Sequence, residues 1–299
     1  MNHFAADWLA RREPFDRVAR AASAAALDWT ALADTLQQRR PVHGPVGVLD
    51  LACGTGANLR ELAPRLGGNQ RWLMVDHDPA LLAALPAALS AWAGEHGLQW
   101  HADGDAMRLH GDGLRIDIEC RCIDLAAGLG ALPWREVQLV SASALLDLAS
   151  APWLQALVGH CRDAGAAVLW ALSVDGRIDW SPRDPDDDAV QALFDAHQRR
   201  DKGLSGGPAL GATAAATASA LLAAAGYRVT LAPGDWDIDA AHGDAARAML
   251  TAMIGGTAQA AAEQAPAQSS MVAAWRSRRL ASVGRSRLRV GHQDLLALR

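Results

Sequence analysis

The run from Val46 to Ala63 constrains this chain more than any other. Val46 to Leu51 is apolar and β-branched, as in a short buried strand. From Ala57 on, Leu59, Leu62, Ala63 and Leu66 recur at helical spacing. Between the two lies Cys53-Gly54-Thr55-Gly56. Glycines at a strand-to-helix turn let the backbone bend sharply and let a ligand lie against it with no Cβ in the way. The helix that follows directs its partly positive N-terminus into the same space. The segment therefore reads as a nucleotide-type cofactor site in a βαβ unit.

The residues around the turn narrow the cofactor. A dinucleotide fingerprint needs a third glycine, and Leu59 stands in its place. Asp50 ends the strand, where a carboxylate repels a pyrophosphate but suits an ammonium or sulfonium. A second strand, Arg71 to Val75, ends in Asp76, about 20 residues beyond the turn, where a ribose-binding carboxylate belongs. The run Leu49 to Gly56, followed by Val75-Asp76-His77-Asp78-Pro79, resembles the first two motifs of the class I (Rossmann-like) S-adenosylmethionine-dependent methyltransferases. Ala52 replaces the first glycine of the family's D-x-G-x-G-x-G pattern.

The resemblance implies a doubly wound α/β fold, with a mostly parallel seven-stranded sheet between helices. It implies S-adenosylmethionine as cofactor, S-adenosylhomocysteine as product, and no metal. It assigns cofactor contacts to Asp50, Ala52, Gly54, Gly56 and Asn58 around the turn, to Asp76 and His77, to Ile123, Asp124 and Leu125, and to Ser141. Asp124 follows a strand whose Ile116, Ile118, Cys120 and Cys122 alternate with polar residues. It reads equally as an adenine contact and as a helix N-cap, and the two are compatible.

The rest of the chain is read around this unit as one domain. Residues 1–44 form a helical cap, one amphipathic helix broken near Pro14 and a second from about Ala21 to Gln38. The cap either covers the site or packs on the sheet edge. Residues 45–235 are the cofactor-binding core, with a lid-like insertion at about 174–211. A helix after Pro79 is expected to kink or split at Pro86. Leu98 to Leu109 and Leu114 to Ile123 read as a two-armed hairpin. Residues 236–299 hold a further helical insertion and a final strand near Leu288 to Gly291.

Strand ends face the ligand in a doubly wound sheet, so Ser141, Ser143 and Asp147 are placed toward cofactor or acceptor. His197, with an ordinary pKa near neutrality, and Asp147 are the candidate catalytic groups; a helix-surface histidine is the plainer reading of His197. Trp8, Arg12, Ser143, Trp153 and Arg199 are candidate substrate contacts. The acidic run Asp184, Asp186, Asp187 and Asp188 and the basic tail from Arg276 to Arg289 read as solvated faces.

With a net charge of −5 there is no global field for nucleic acid or an anionic membrane. The first residues lack a basic-then-apolar leader pattern, and no run is long enough to span a bilayer, so a cytoplasmic location is the expectation. The four cysteines lack zinc spacing. The reading is methyl transfer to a small molecule, with a homodimer left open. The rivals are an RNA methyltransferase, a non-catalytic adenosylmethionine-binding partner subunit and a nicotinamide oxidoreductase. Acceptor and methylated atom are not given.

Overall fold

The computed structural model describes residues 5–42, 44–103, 106–204 and 206–299. Part of the first-residue leader reading, part of the hairpin arm from Leu98 and part of the glycine-rich 203–207 stretch lie outside the described residues. Helices α1 (Ala6–Ala24) and α2 (Trp29–Arg39) precede strand β1 (Val46–Leu51). Then follow α3 (Ala57–Leu66), β2 (Gly68–Asp76), α4 (Pro79–Glu95), β3 (Gln99–Asp103), β4 (Ala106–Gly111) and β5 (Leu114–Cys122). The next elements are α5 (Leu125–Gly128), β6 (Leu139–Ser143), α6 (Ala151–Ala164), β7 (Ala167–Ser181), α7 (Asp187–Gln198) and α8 (Ala214–Ala224). The chain closes with β8 (Arg228–Pro233), β9 (Trp236–Asp239), α9 (Asp244–Gln264), α10 (Ser269–Ala281) and β10 (Arg287–Leu298).

The strands form one sheet of ten in the order β3-β4-β5-β2-β1-β6-β7-β10-β8, with β9 paired to β10. Strands β5, β2, β1, β6 and β7 are parallel, and β10 runs antiparallel between β7 and β8. Seven strands, β5 to β8 in that order, are the expected sheet. The other three extend it. Asp103 pairs with Ala106, so the arm read as one strand from Leu98 is itself two antiparallel strands.

Core forms on both faces of the sheet. Trp153, Leu154 and Leu157 of α6 and Ala214, Ala218 and Leu222 of α8 cover one face. Leu32 and Leu36 of α2, Leu59 and Leu62 of α3, and Leu85 and Leu89 of α4 cover the other. The chain has a Rossmann-like α/β fold.

Several local expectations give way to packing. Helix α1 runs through Pro14 and α4 through Pro86, without a break. The second helix starts later than expected, because Asp28 caps it by accepting the Ala31 amide at 2.9 Å. The final strand is a single twelve-residue β10, and β7 is its fifteen-residue partner. The first seven residues of β7 are buried; beyond them the strand overhangs the sheet with β10 and β9.

Helices α7, α9 and α10 pack on this overhang around Val190, Ile254, Val272 and Trp275. Here part of the basic tail pairs with part of the acidic run, while Asp188, Arg287 and Arg289 stay exposed. Arg278 donates to Asp184 at 2.7 Å and to Asp186 at 2.6 Å. Arg279, buried and lying over the Trp180 ring, is paired with Asp187, which also accepts the Trp275 indole at 2.8 Å.

Candidate active site

The turn after β1 is held in left-handed backbone at Ala52 (φ 52°), Gly54 (φ 55°) and Gly56 (φ 80°). Its stitching explains the sequence. The Cys53 amide donates to the Val75 carbonyl at 3.0 Å, and the Gly54 amide to Asp76 Oδ2 at 2.8 Å. Asp76 Oδ1 accepts the Asp78 amide at 2.9 Å. A Cβ on Gly54 would lie 2.9 Å from the Leu9 side chain of α1.

Under the turn lies a closed polar network. Asp50 is wholly buried. Asn58 Nδ2 donates to Asp50 Oδ1 at 2.7 Å and to the Ser141 hydroxyl, while Asn58 Oδ1 accepts Arg20 Nη1 at 2.5 Å. Among the described residues Asp50 Oδ2 has no hydrogen-bond partner. Burial pushes the Asp50 carboxyl up to about 7; Asn58, Ser141 and Arg20 act in the opposite sense.

Two cavities open at the carboxyl ends of the strands. The smaller, about 130 Å³, is walled by Ala52, Gly54, Asp76, His77, Asp124, Leu125 and Ser143, and is closed over by Leu9, Arg12 and Lys202. Asp124 lines it while also capping α5, accepting the Ala126 amide at 2.9 Å. The larger cavity, about 640 Å³, lies within the usual range for ligand pockets. Trp8, Arg12, Asp147, His197 and Arg199 all reach it. The two share Arg12, Ala144 and Leu148.

The larger cavity carries titratable groups in a mostly apolar wall. His197 Nε2 lies 3.2 Å from Glu263 Oε2, and its buried Nδ1 has no partner among the described residues. Nε2 donates to the carboxylate, which leaves a lone pair on Nδ1. Burial, then the charge of Lys202, hold the His197 pKa below its ordinary value. Asp147 Oδ1 is shut off from solvent without a partner among the described residues, and burial raises its pKa. Lys202, on the wall of the smaller cavity, acts electrostatically on both.

Other candidates sit elsewhere. Asp50, Asn58 and Ser141 support the turn from below and do not line the smaller cavity. Gly56 faces Leu85 and Leu89 of α4, and Ile123 packs into the core. Trp153 is a correction: it is 2% exposed, fills the core beneath α5 and donates its indole N–H to the Leu125 carbonyl at 2.7 Å. It lines neither cavity. Among the described residues no group of three or more His, Cys, Asp or Glu side chains is arranged to hold a metal ion, and no helix is long and apolar enough to cross a membrane.

Sequence reasoning missed Glu263, Lys202 and His292. His292 lines the larger cavity from β10, is 2% exposed, and has Nδ1 3.1 Å from the Val290 carbonyl. Burial and the Arg12 charge push its pKa down to about 4.

No protein-family model matches the chain, and no curated protein matches it. Solved structures do align with it. A cyclopropane-fatty-acyl-phospholipid synthase-like protein from Lactobacillus casei is 14% identical, with a TM-score of 0.48 over 100% of this chain and 95% of that one. A methyltransferase from Thiobacillus denitrificans, in complex with S-adenosylhomocysteine, is 14% identical, with a TM-score of 0.41 over 95% of this chain and 97% of that one. A geranyl diphosphate C-methyltransferase from Streptomyces coelicolor is 15% identical, with a TM-score of 0.37 over 90% and 76%.

Proposed function

We propose that this protein is an S-adenosylmethionine-dependent methyltransferase acting on a small molecule held in the larger cavity. The observation that carries the reading is the adjacency of the two cavities: a glycine-turn cavity with two carboxylates on its wall opens beside a ligand-sized one. The residues present fit the cofactor. Asp76 and Asp124 offer carboxylates to ribose hydroxyls and an adenine amino group. Beneath the turn, the buried Asp50 carboxyl keeps one oxygen without a hydrogen-bond partner among the described residues. The smaller cavity lies below the usual ligand range of roughly 300–1,000 Å³, so in this reading α1 is a cover, and Leu9 yields when the cofactor seats.

The cofactor supplies a methyl carbon made electrophilic by its sulfonium. The chain's part is to hold the acceptor aligned, which can lower a barrier by several kcal/mol. The apolar wall of Trp8, Phe194, Trp236 and Met253 grips the acceptor body. His197 takes a proton on Nδ1, with Glu263 fixing its tautomer and stabilising the imidazolium. Asp147 accepts a hydrogen bond from the acceptor at the junction.

Titration calorimetry with S-adenosylmethionine, paired with labelled-methyl transfer into a metabolite extract, tests this reading. Asp76→Ala should weaken cofactor binding by about 1–3 kcal/mol, through unpaired donors. Failure of the cofactor to bind the wild type overturns the assignment.

A further inference from the structure

One guanidinium joins the first helix to the floor of the glycine turn. Arg20 is 7% exposed, and its Nη1 takes the Asn58 carbonyl oxygen at 2.5 Å. That contact decides which end of the amide meets Asp50. Flipped, Asn58 would set its NH2 donors against the guanidinium and its oxygen against a carboxyl, leaving donors facing donors. As seated, the NH2 group serves Asp50 Oδ1 at 2.7 Å and the Ser141 hydroxyl.

The charges around Asp50 come from several elements. Arg20 of α1 favours its ionised form, and Asp76 of β2 opposes it. Cys53 of the turn is also coupled to it. On its other side Arg20 acts on Asp294 of β10, a second buried carboxyl, which accepts the Ser23 hydroxyl at 2.6 Å and the Leu172 amide at 2.7 Å. A single α1 cation therefore stands between two buried acids.

Resting on the methyltransferase reading, we propose that Arg20 is a positioning residue: by fixing which end of the Asn58 amide meets Asp50, it ties the seating of α1 to the charge on the floor of the glycine turn against which the cofactor lies. Linkage makes this reciprocal, so cofactor binding tightens the seating of α1 by the same factor that α1 tightens cofactor binding.

The test has two arms. In the full chain without cofactor, the Asp50 carboxyl is titrated by carbon-detected NMR. Arg20→Met should raise its midpoint by one pH unit or more, Arg20→Lys should recover at least half of that shift, and Asn58→Ala should raise it with Arg20 still present. S-adenosylhomocysteine binding, followed by calorimetry from pH 5.5 to 8.5, should move its acid limb upward by the same amount. An unmoved Asp50 midpoint in Arg20→Met overturns the proposal, as does an affinity loss equal at every pH. If Arg20→Met does not fold, an unmoved midpoint in Asn58→Ala overturns it. Absence of S-adenosylhomocysteine binding in the wild type overturns the methyltransferase reading, while the Asp50 titration still decides the placement of Arg20.

Discussion

The Arg12 guanidinium lies over the Trp236 ring, 5.0 Å from its centroid, and both side chains donate to the same Asp16 carboxylate, at 2.8 and 3.0 Å. One contact of α1 with β9 thus borders both cavities. It is partly sheltered from water, so the cation–π term should exceed that of an exposed pair. A double-mutant cycle of Arg12→Met and Trp236→Leu, read by urea unfolding, should show a coupling of about 0.5–1 kcal/mol. A coupling of zero would remove the contact as a fastener of α1.

Gly54→Ala meets two separate obstacles. Its φ of 55° costs an L-residue about 1–2 kcal/mol, and the new methyl would lie 2.9 Å from the Leu9 side chain. The single variant should lose cofactor affinity at least tenfold. Adding Leu9→Ala should restore the steric share and leave the backbone share. Calorimetry on the two variants separates them, and equal affinities would show that Leu9 does not crowd the turn.

Asp50 and His292 should pull the acid stability of the protein in opposite directions. His292 is neutral when folded, with its pKa near 4, and protonates near 6.5 when unfolded. Its stabilising share is whole above pH 6.5 and is lost as pH falls toward 4. Asp50, raised from 3.8 to about 7, holds a proton in the folded state that the unfolded chain has released. Its share is whole below pH 3.8 and is lost as pH rises through 7. Between about pH 4 and 6.5 the two slopes, each up to about 1.4 kcal/mol per pH unit, cancel. Relative to wild type, His292→Phe should therefore gain stability on acidification across that window, and Asp50→Asn should lose it. Urea midpoints at pH 4.5 and 6.5 check both signs; parallel curves for all three proteins would contradict the assignments.

His197→Ala should lower methyl transfer by about 10²–10⁴-fold while leaving cofactor affinity unchanged. Glu263→Gln, which keeps a hydrogen-bond acceptor but removes the charge, should weaken proton uptake at Nδ1 and shift the acid limb of the rate profile further below 6.5. Labelled-methyl incorporation from pH 5 to 8 reads both. An unchanged rate in His197→Ala would return this histidine to a structural role.

What could be read from the residues alone was what local chemistry dictates. The Gly54 and Gly56 turn, the carboxylates closing β1 and β2, and the alternation along β5 each follow from neighbouring residues. Packing from distant segments decided the rest. Glu263 and His292 reach the larger cavity from α9 and β10, and nothing beside them in sequence marks them. Trp153 drew attention as an aromatic near a loop, yet its volume fills the core. Pro14 and Pro86 looked like breaks because their local cost is visible in sequence, yet α1 and α4 run through them.

The overhang of β7 and β10 separates two kinds of evolutionary change. One end of that ribbon is buried in the sheet between its neighbours, whereas the other is a platform bearing α7 and α9. On the proposed methyltransferase reading, substitutions on the platform remodel the larger cavity without touching the residues that line the smaller one, so new acceptor preferences should arise there first.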